Sequence, residues 1–127
     1  FFNQGPREEL PERDRGRKTY FHNPVATLVR LSPEEGAQLG RLVAERLNEA
    51  RGPVRVVVPT AGFSLADSAG GDLWDPEADA ALVDSLREAL RADIPFEAVD
   101  AHVDDADFAE LVADRYLTLL EEPAHAG

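Results

Sequence analysis

The chain has 127 residues, no cysteine, and 25 acidic against 13 basic side chains for a formal charge of -12. That length allows one domain or part of one, and the missing cysteines exclude disulfides and thiolate chemistry. The acidity argues against general nucleic-acid binding, which needs a basic footprint, and gives no support for docking on anionic membranes. No apolar run approaches the roughly 20 residues that span a bilayer.

Residues 1–18 are polar and punctuated by Pro6, Pro11 and Gly16, which reads as an irregular arm with a hint of structure at Phe1 and Phe2. Pro24 disfavours helix at Asn23, so the stretch from there to residue 31 reads as loop or short extended segments. The first helix announces itself. Ser32 is a natural N-cap, Pro33 suits the first helical position, and Glu35 completes a capping box. Leu39, Val43, Leu47 and Ala50 form one apolar stripe at helical spacing, and Gly52-Pro53 stops it. The run Val54-Arg55-Val56-Val57-Val58 is almost all β-branched, as expected of a strand covered on both faces.

Asp75-Pro76-Glu77 starts a second helix by the same N-cap logic, with Leu82, Leu86 and Ala89/Leu90 on its buried face. Residues 94–99 form a shorter strand whose Pro95 weakens it or places it near an edge. Asp104 or Asp105 caps a last helix with the stripe Phe108, Leu111, Val112, Tyr116 and Leu119/Leu120. A strand–helix–strand unit in one sheet is parallel with a right-handed crossover. The class is therefore α/β: a partial doubly wound, Rossmann-like parallel sheet flanked by helices over residues 32–120, after an arm at 1–31 and before a frayed tail at 121–127. Two strands make a thin sheet. Either the first 30 residues add strands, or part of the sheet lies outside this chain, which also lacks an initiator methionine and is expected to be a fragment.

If the two strands are parallel, the loops after them leave one sheet edge, where open α/β sheets bind ligands. The first loop carries Gly62, Ser64, Asp67 and Gly70-Gly71. Its glycines could let amides approach an anion, Ser64 could donate to a phosphoryl or carboxylate oxygen, and Asp67 could hold a ribose hydroxyl or hydrated Mg²⁺. The bland alternative is a loop whose Ser and Asp satisfy its own amides. It is neither a Walker loop nor a Rossmann glycine fingerprint, and Ala66 breaks a nucleophile elbow. The second loop carries Asp100, His102, Asp104 and Asp105, where one imidazole among carboxylates is a structural group, a binding group or a general acid/base. His22, Asn23 and Arg30 form a third group, in which Arg30 meets either an anionic ligand or one of the chain's many acids.

Taken in order, these pieces resemble one family. Arg17, then Tyr20-x-His22-Asn23-Pro24-x-x-Thr27-Leu28-x-Arg30, then Glu34-Glu35, form the first block. Pro59-x-x-Gly62-x-Ser64-x-x-Asp67-x-x-Gly70 with Trp74-Asp75-Pro76-Glu77-Ala78 is the second, and Asp100-x-His102-Val103-x-Asp105-x-x-Phe108-Ala109 the third. Three ordered blocks over residues 1–120 resemble the Tm-one-like ATP-binding family, a mostly uncharacterised group. Asp104 departs from the family's usual Asn, and Ala69 from its usual Pro. The resemblance implies the latter part of the second of two Rossmann-like domains, with the family's first domain and a Gly-rich segment lacking a counterpart here.

The expectation is a cytoplasmic protein forming one wall of a cleft for ATP, with Mg²⁺, or another phosphorylated small molecule. Gly62, Ser64 and Gly70 would present donors and Asp67 would handle a hydroxyl or Mg²⁺, with His22, Asn23 and Arg30 approaching from the preceding segment. Two rivals stand beside it. One is a non-catalytic assembly module that pairs with a missing N-terminal segment or a second copy, since an incomplete sheet exposes an edge. The other is an enzyme acting on a small carboxylate or phosphorylated metabolite, with His102 as acid/base.

Overall fold

Helix α1 spans Pro33–Asn48 and starts on the expected device: Ser32 Oγ accepts from the Glu35 amide at 3.2 Å, and Glu35 accepts from the Ser32 amide at 2.8 Å. Helix α2, Pro76–Ala89, starts where Asp75 accepts from the Ala78 amide at 3.2 Å. The two helices pack on each other more closely than their large apolar residues predict. The buried ridge of α1 is Gly36, Gly40 and Ala44, and a Cβ at Gly40 would lie 2.3 Å from the Leu82 carbonyl oxygen. Small residues let the backbones approach, so α1 turns that ridge inward. Leu39 is left 38% exposed, and Ala50 lies past the helix end. The expected stripe is thus rotated, with Val43 and Leu47 flanking the contact.

Against this helix pair lie strands β4 (Val56–Pro59) and β5 (Phe96–Val99), parallel, with Val56 opposite Phe96 and Val57 opposite Glu97. Val56 and Val58 join Ala44, Val83, Leu86 and Ile94 in the core. Side chains alternate along a strand, so Arg55 and Val57 face the other side. There Val112, Arg115 and Tyr116 of helix α3, Ala106–Glu121, face them across an open groove of about 230 Å³. Arg115 forks onto Glu97 at 2.8 and 2.9 Å, pinning α3 to β5. Helices on both faces of a parallel sheet make this a partial doubly wound α/β unit. In α3 only Phe108 is buried.

The computed structural model describes residues 1–121, so the rest of the expected tail, with His125, lies outside the described residues. The segment 1–31 is more ordered than its composition implies. Strands β1 (Phe2–Asn3), β2 (Thr19–Asn23) and β3 (Ala26–Val29) form an antiparallel sheet in the order β1-β3-β2. The hairpin turn at Pro24-Val25 is held by Asn23 Oδ1, which accepts from the Val25 amide at 3.0 Å. The arm is tied down by side chains distant in sequence: Gln4 donates to Asp14 at 2.6 Å, and Arg17 bridges Asp14 at 3.2 Å and Glu35. Lys18 reaches Asp75 at 2.9 Å and docks this sheet on the start of α2. Among the described residues no helix is long and apolar enough to cross a membrane.

Candidate functional site

Because β4 and β5 are parallel, both of their outgoing loops emerge at the same edge, and the backbone laces them together. The Thr60 amide donates to the Val99 carbonyl at 2.9 Å, Ala61 to Ala101 at 3.0 Å, and Val103 to Gly62 at 3.1 Å. Gly62 has φ +133°, and a Cβ there would meet the Asp67 carbonyl oxygen at 1.9 Å and the His102 ring at 2.8 Å. A side chain would separate the loops, so glycine is required by both conformation and space.

His102 closes the junction. Its Nδ1 accepts from the Asp104 amide at 3.2 Å, and its Nε2 lies 3.0 Å from the Ser64 carbonyl oxygen. An amide can only donate and a carbonyl only accept, so these two bonds fit the tautomer with its proton on Nε2. The His102 amide in turn donates to Asp105 Oδ2 at 2.8 Å. Both ring nitrogens are therefore engaged with backbone.

Beneath the first loop lies a buried ion cluster. Asp67, in a short 3-10 turn at Leu65–Asp67, is fully buried. Its Oδ2 accepts from the Phe63 amide at 3.0 Å and faces Arg30 Nη1 at 3.2 Å. Arg30, 7% exposed at the end of β3, also bonds Asp79 on α2 and donates to the Asp75 carbonyl at 3.1 Å. One guanidinium thus serves two carboxylates. Burial pushes the Asp79 carboxyl above the usual range, Arg30 pulls it back, and the Asp67 charge adds to the rise.

The expected site residues divide accordingly. Gly62, Ser64, Asp67 and Arg30 come together, with His102 against them. Arg30 and Asp67 meet each other below the loop, and a cation at Asp67 would sit beside the Arg30 guanidinium. Among the described residues no group of three or more His, Cys, Asp or Glu side chains is arranged to hold a metal. His22 is exposed on β2 with its ring 6.1 Å from that of Tyr20, and Asn23 spends its oxygen on the hairpin turn. Gly70, with φ +86°, is exposed, and the Ser64 hydroxyl oxygen is buried without a partner among the described residues. Asp79 was not anticipated. The available signal was an acid on the otherwise apolar face of α2, one position after Ala78.

These blocks are shared with known proteins. The C-terminal domain of an uncharacterised protein family, UPF0261, matches residues 1–120. The chain belongs to that family. A UPF0261 protein of Rhizobium meliloti is 42% identical over 111 residues, covering 86% of this chain and 28% of the relative. One of Clostridium tetani is 31% identical over 121 residues, covering 94% of this chain and 30% of the relative. The ToMV resistance protein Tm-1 of Solanum lycopersicum is 31% identical over 125 residues, covering 97% of this chain and 17% of that protein. The resemblance read from the three sequence blocks is therefore borne out. This UPF0261 domain spans less than a third of the length of each of these relatives.

Proposed function

We propose that this chain supplies one wall of a cleft for an ATP-like nucleotide or another phosphorylated small molecule, at the carboxyl edge of β4 and β5. The observation that carries the reading is the junction of two loops at that edge, with an unpartnered Ser64 hydroxyl inside it. A buried hydroxyl without a partner is uncommon, because leaving one unsatisfied costs free energy. A phosphoryl oxygen would satisfy it, and exposed Gly70 leaves the backbone open to close approach. Gly62, Ser64 and Gly70 then serve the ligand. Arg30 and Asp67 hold the loop in shape from below, and Mg²⁺ would arrive on the nucleotide's phosphates. His22 and Asn23 belong to this reading as groups on the hairpin that approach from the preceding segment. On this reading the protein works in the cytoplasm.

The engagement of both His102 nitrogens favours binding over turnover, since an acid/base group needs a nitrogen free to face substrate. Calorimetric titration of Mg·ATP into the folded chain and its Ser64→Ala variant tests the site. The hydroxyl has no partner among the described residues, so its removal leaves the fold intact while weakening the ligand by about tenfold or more, the worth of one hydrogen bond to a charged group. Equal affinity in both proteins, or no binding by the folded parent, overturns the proposal.

A further inference from the structure

The buried cluster beneath the first loop contains two acids and one guanidinium. Asp67 is fully buried, and Arg30 and Asp79 are nearly so. With both carboxylates ionised, the cluster would carry a net negative charge out of reach of water, which is costly. Arg30 reaches one oxygen of each acid: Nη1 lies 3.2 Å from Asp67 Oδ2, and Nη2 donates to Asp79 Oδ1. The Phe63 amide also goes to Asp67 Oδ2, at 3.0 Å. Asp67 Oδ1 is left buried with no donor among the described residues.

The neighbour that Asp67 does have is Asp79, for the two carboxyl groups are within hydrogen-bonding range of each other. An ionised carboxylate only accepts, whereas a protonated one carries an O–H to donate. A buried contact between two acceptors therefore requires a proton, as in carboxyl pairs that share one because like charges so close cannot both ionise. Asp79 is the side that carries it. Burial pushes its carboxyl above the usual range against the pull of Arg30, and the Asp67 charge adds to the rise.

The other charged groups around the cluster have partners of their own. Glu35, at the start of α1, is bound to Arg17, and Lys18, just before β2, is bound to Asp75. The His102 ring lies across Gly62 from the Asp67 turn, with both nitrogens on backbone. From the β1 side the Phe1 amino group feels Arg30, Asp67 and Asp79.

We propose that Asp67 and Asp79 hold one proton between them in the folded protein, carried on Asp79 and donated to Asp67 Oδ1, and that this proton latches the first loop to α2. Its release to solvent turns the contact into a repulsion between two buried carboxylates. The Leu65–Asp67 turn then loosens from α2, and the Phe63 amide loses a fixed acceptor. The sign follows from a carboxyl raised on folding: the latch is complete below the usual carboxylate range and is lost as pH climbs through the folded Asp79 value. The device needs no ligand.

Carbon-13 shifts of the aspartate carboxyls, followed against pH in this chain, test it. The expected result is a step at Asp79 above the usual aspartate range, with the Asp67 signal responding at the same pH. Across that step the protection of the Phe63 amide, corrected for its intrinsic exchange rate, falls at least about tenfold, the worth of one hydrogen bond. In Asp79→Asn the side-chain NH₂ donates to Asp67 without titrating, so the step disappears and protection persists at every pH. Asp79→Ala supplies no donor and shows the low protection throughout. Acetylating the Phe1 amino group leaves the step in place. Absence of an Asp79 step above the usual range overturns the proposal on the parent chain alone. So does Phe63 protection that falls equally in Asp79→Asn, or a step that vanishes on acetylation, which would assign it to Phe1.

Discussion

Replacing Arg30 with Met tests the ion cluster that shapes the first loop. The guanidinium sits 3.2 Å from Asp67, bonds Asp79, and donates to the Asp75 carbonyl at 3.1 Å, all with Arg30 only 7% exposed. Met fills much of the space but leaves both carboxylates without their cation. Asp67 keeps only the Phe63 amide. Hydrogen bonds to charged groups are worth about 1.5–3 kcal/mol each, and breaking a buried pair from one side costs about 3–5 kcal/mol. Since a domain has only about 5–15 kcal/mol in total, a loss of about 3–5 kcal/mol is a large fraction of it. Urea unfolding monitored by circular dichroism and by Trp74 fluorescence reads the change in midpoint. Adding Asp67→Asn and Asp79→Asn to Arg30→Met removes the stranded charges and recovers at least about half the loss. That triple variant carries the test even if the single one does not fold. A single-variant loss below about 1 kcal/mol, or no recovery in the triple variant, would refute the reasoning.

The same contacts set other outcomes. Gly40→Ala places a methyl 2.3 Å from the Leu82 carbonyl oxygen, so it forces α1 from α2 and costs about 1–3 kcal/mol in a urea titration. The folded-state carboxyl of Glu35 is lowered chiefly by its hydrogen bond to Arg17 and then by the Ser32 amide. It therefore contributes stability above the unfolded carboxylate range that disappears as pH falls through the lowered value. Acid titration of Glu35→Gln should show a shallower loss than the parent between roughly pH 5 and 2. Asp79 has the opposite sign: its raised carboxyl costs stability as pH climbs from the unfolded carboxylate range through the folded value, so Asp79→Asn removes that pH-dependent cost. Nitrogen-15 shifts of the imidazole should report the neutral Nε2–H tautomer at His102, and an Nδ1–H signal would contradict the loop junction.

The ends of the elements were legible in the sequence because caps are local chemistry. Ser32, Glu35 and Asp75 act within three residues of themselves, and they start α1 and α2 where expected. Strand β4 was equally legible from its β-branched run. The face of α1 was not, because it depends on how closely a partner approaches. Gly36 and Gly40 look like interruptions until α2 is placed against them. At the chain's start the sequence offered a hint at Phe1-Phe2 and short extended segments; what ties them down, Asp14, Arg17 and Glu35, is an arrangement no local pattern encodes. At the site, the sequence identified the polar residues and the shared edge. It could not tell that Arg30 would find Asp79 49 positions away. Nor could spacing show that both His102 nitrogens are occupied by backbone. The stripe of α3 was read from true periodicity, but periodicity names a face without naming what covers it.

The most direct test of the proposed cleft is a map of amide chemical-shift changes on the folded chain as Mg·ATP is added, with inorganic phosphate as a second titrant. The account predicts saturable shifts confined to residues 60–71 and 101–105, greatly reduced in Ser64→Ala. Shifts centred elsewhere, or none up to millimolar nucleotide, would contradict it.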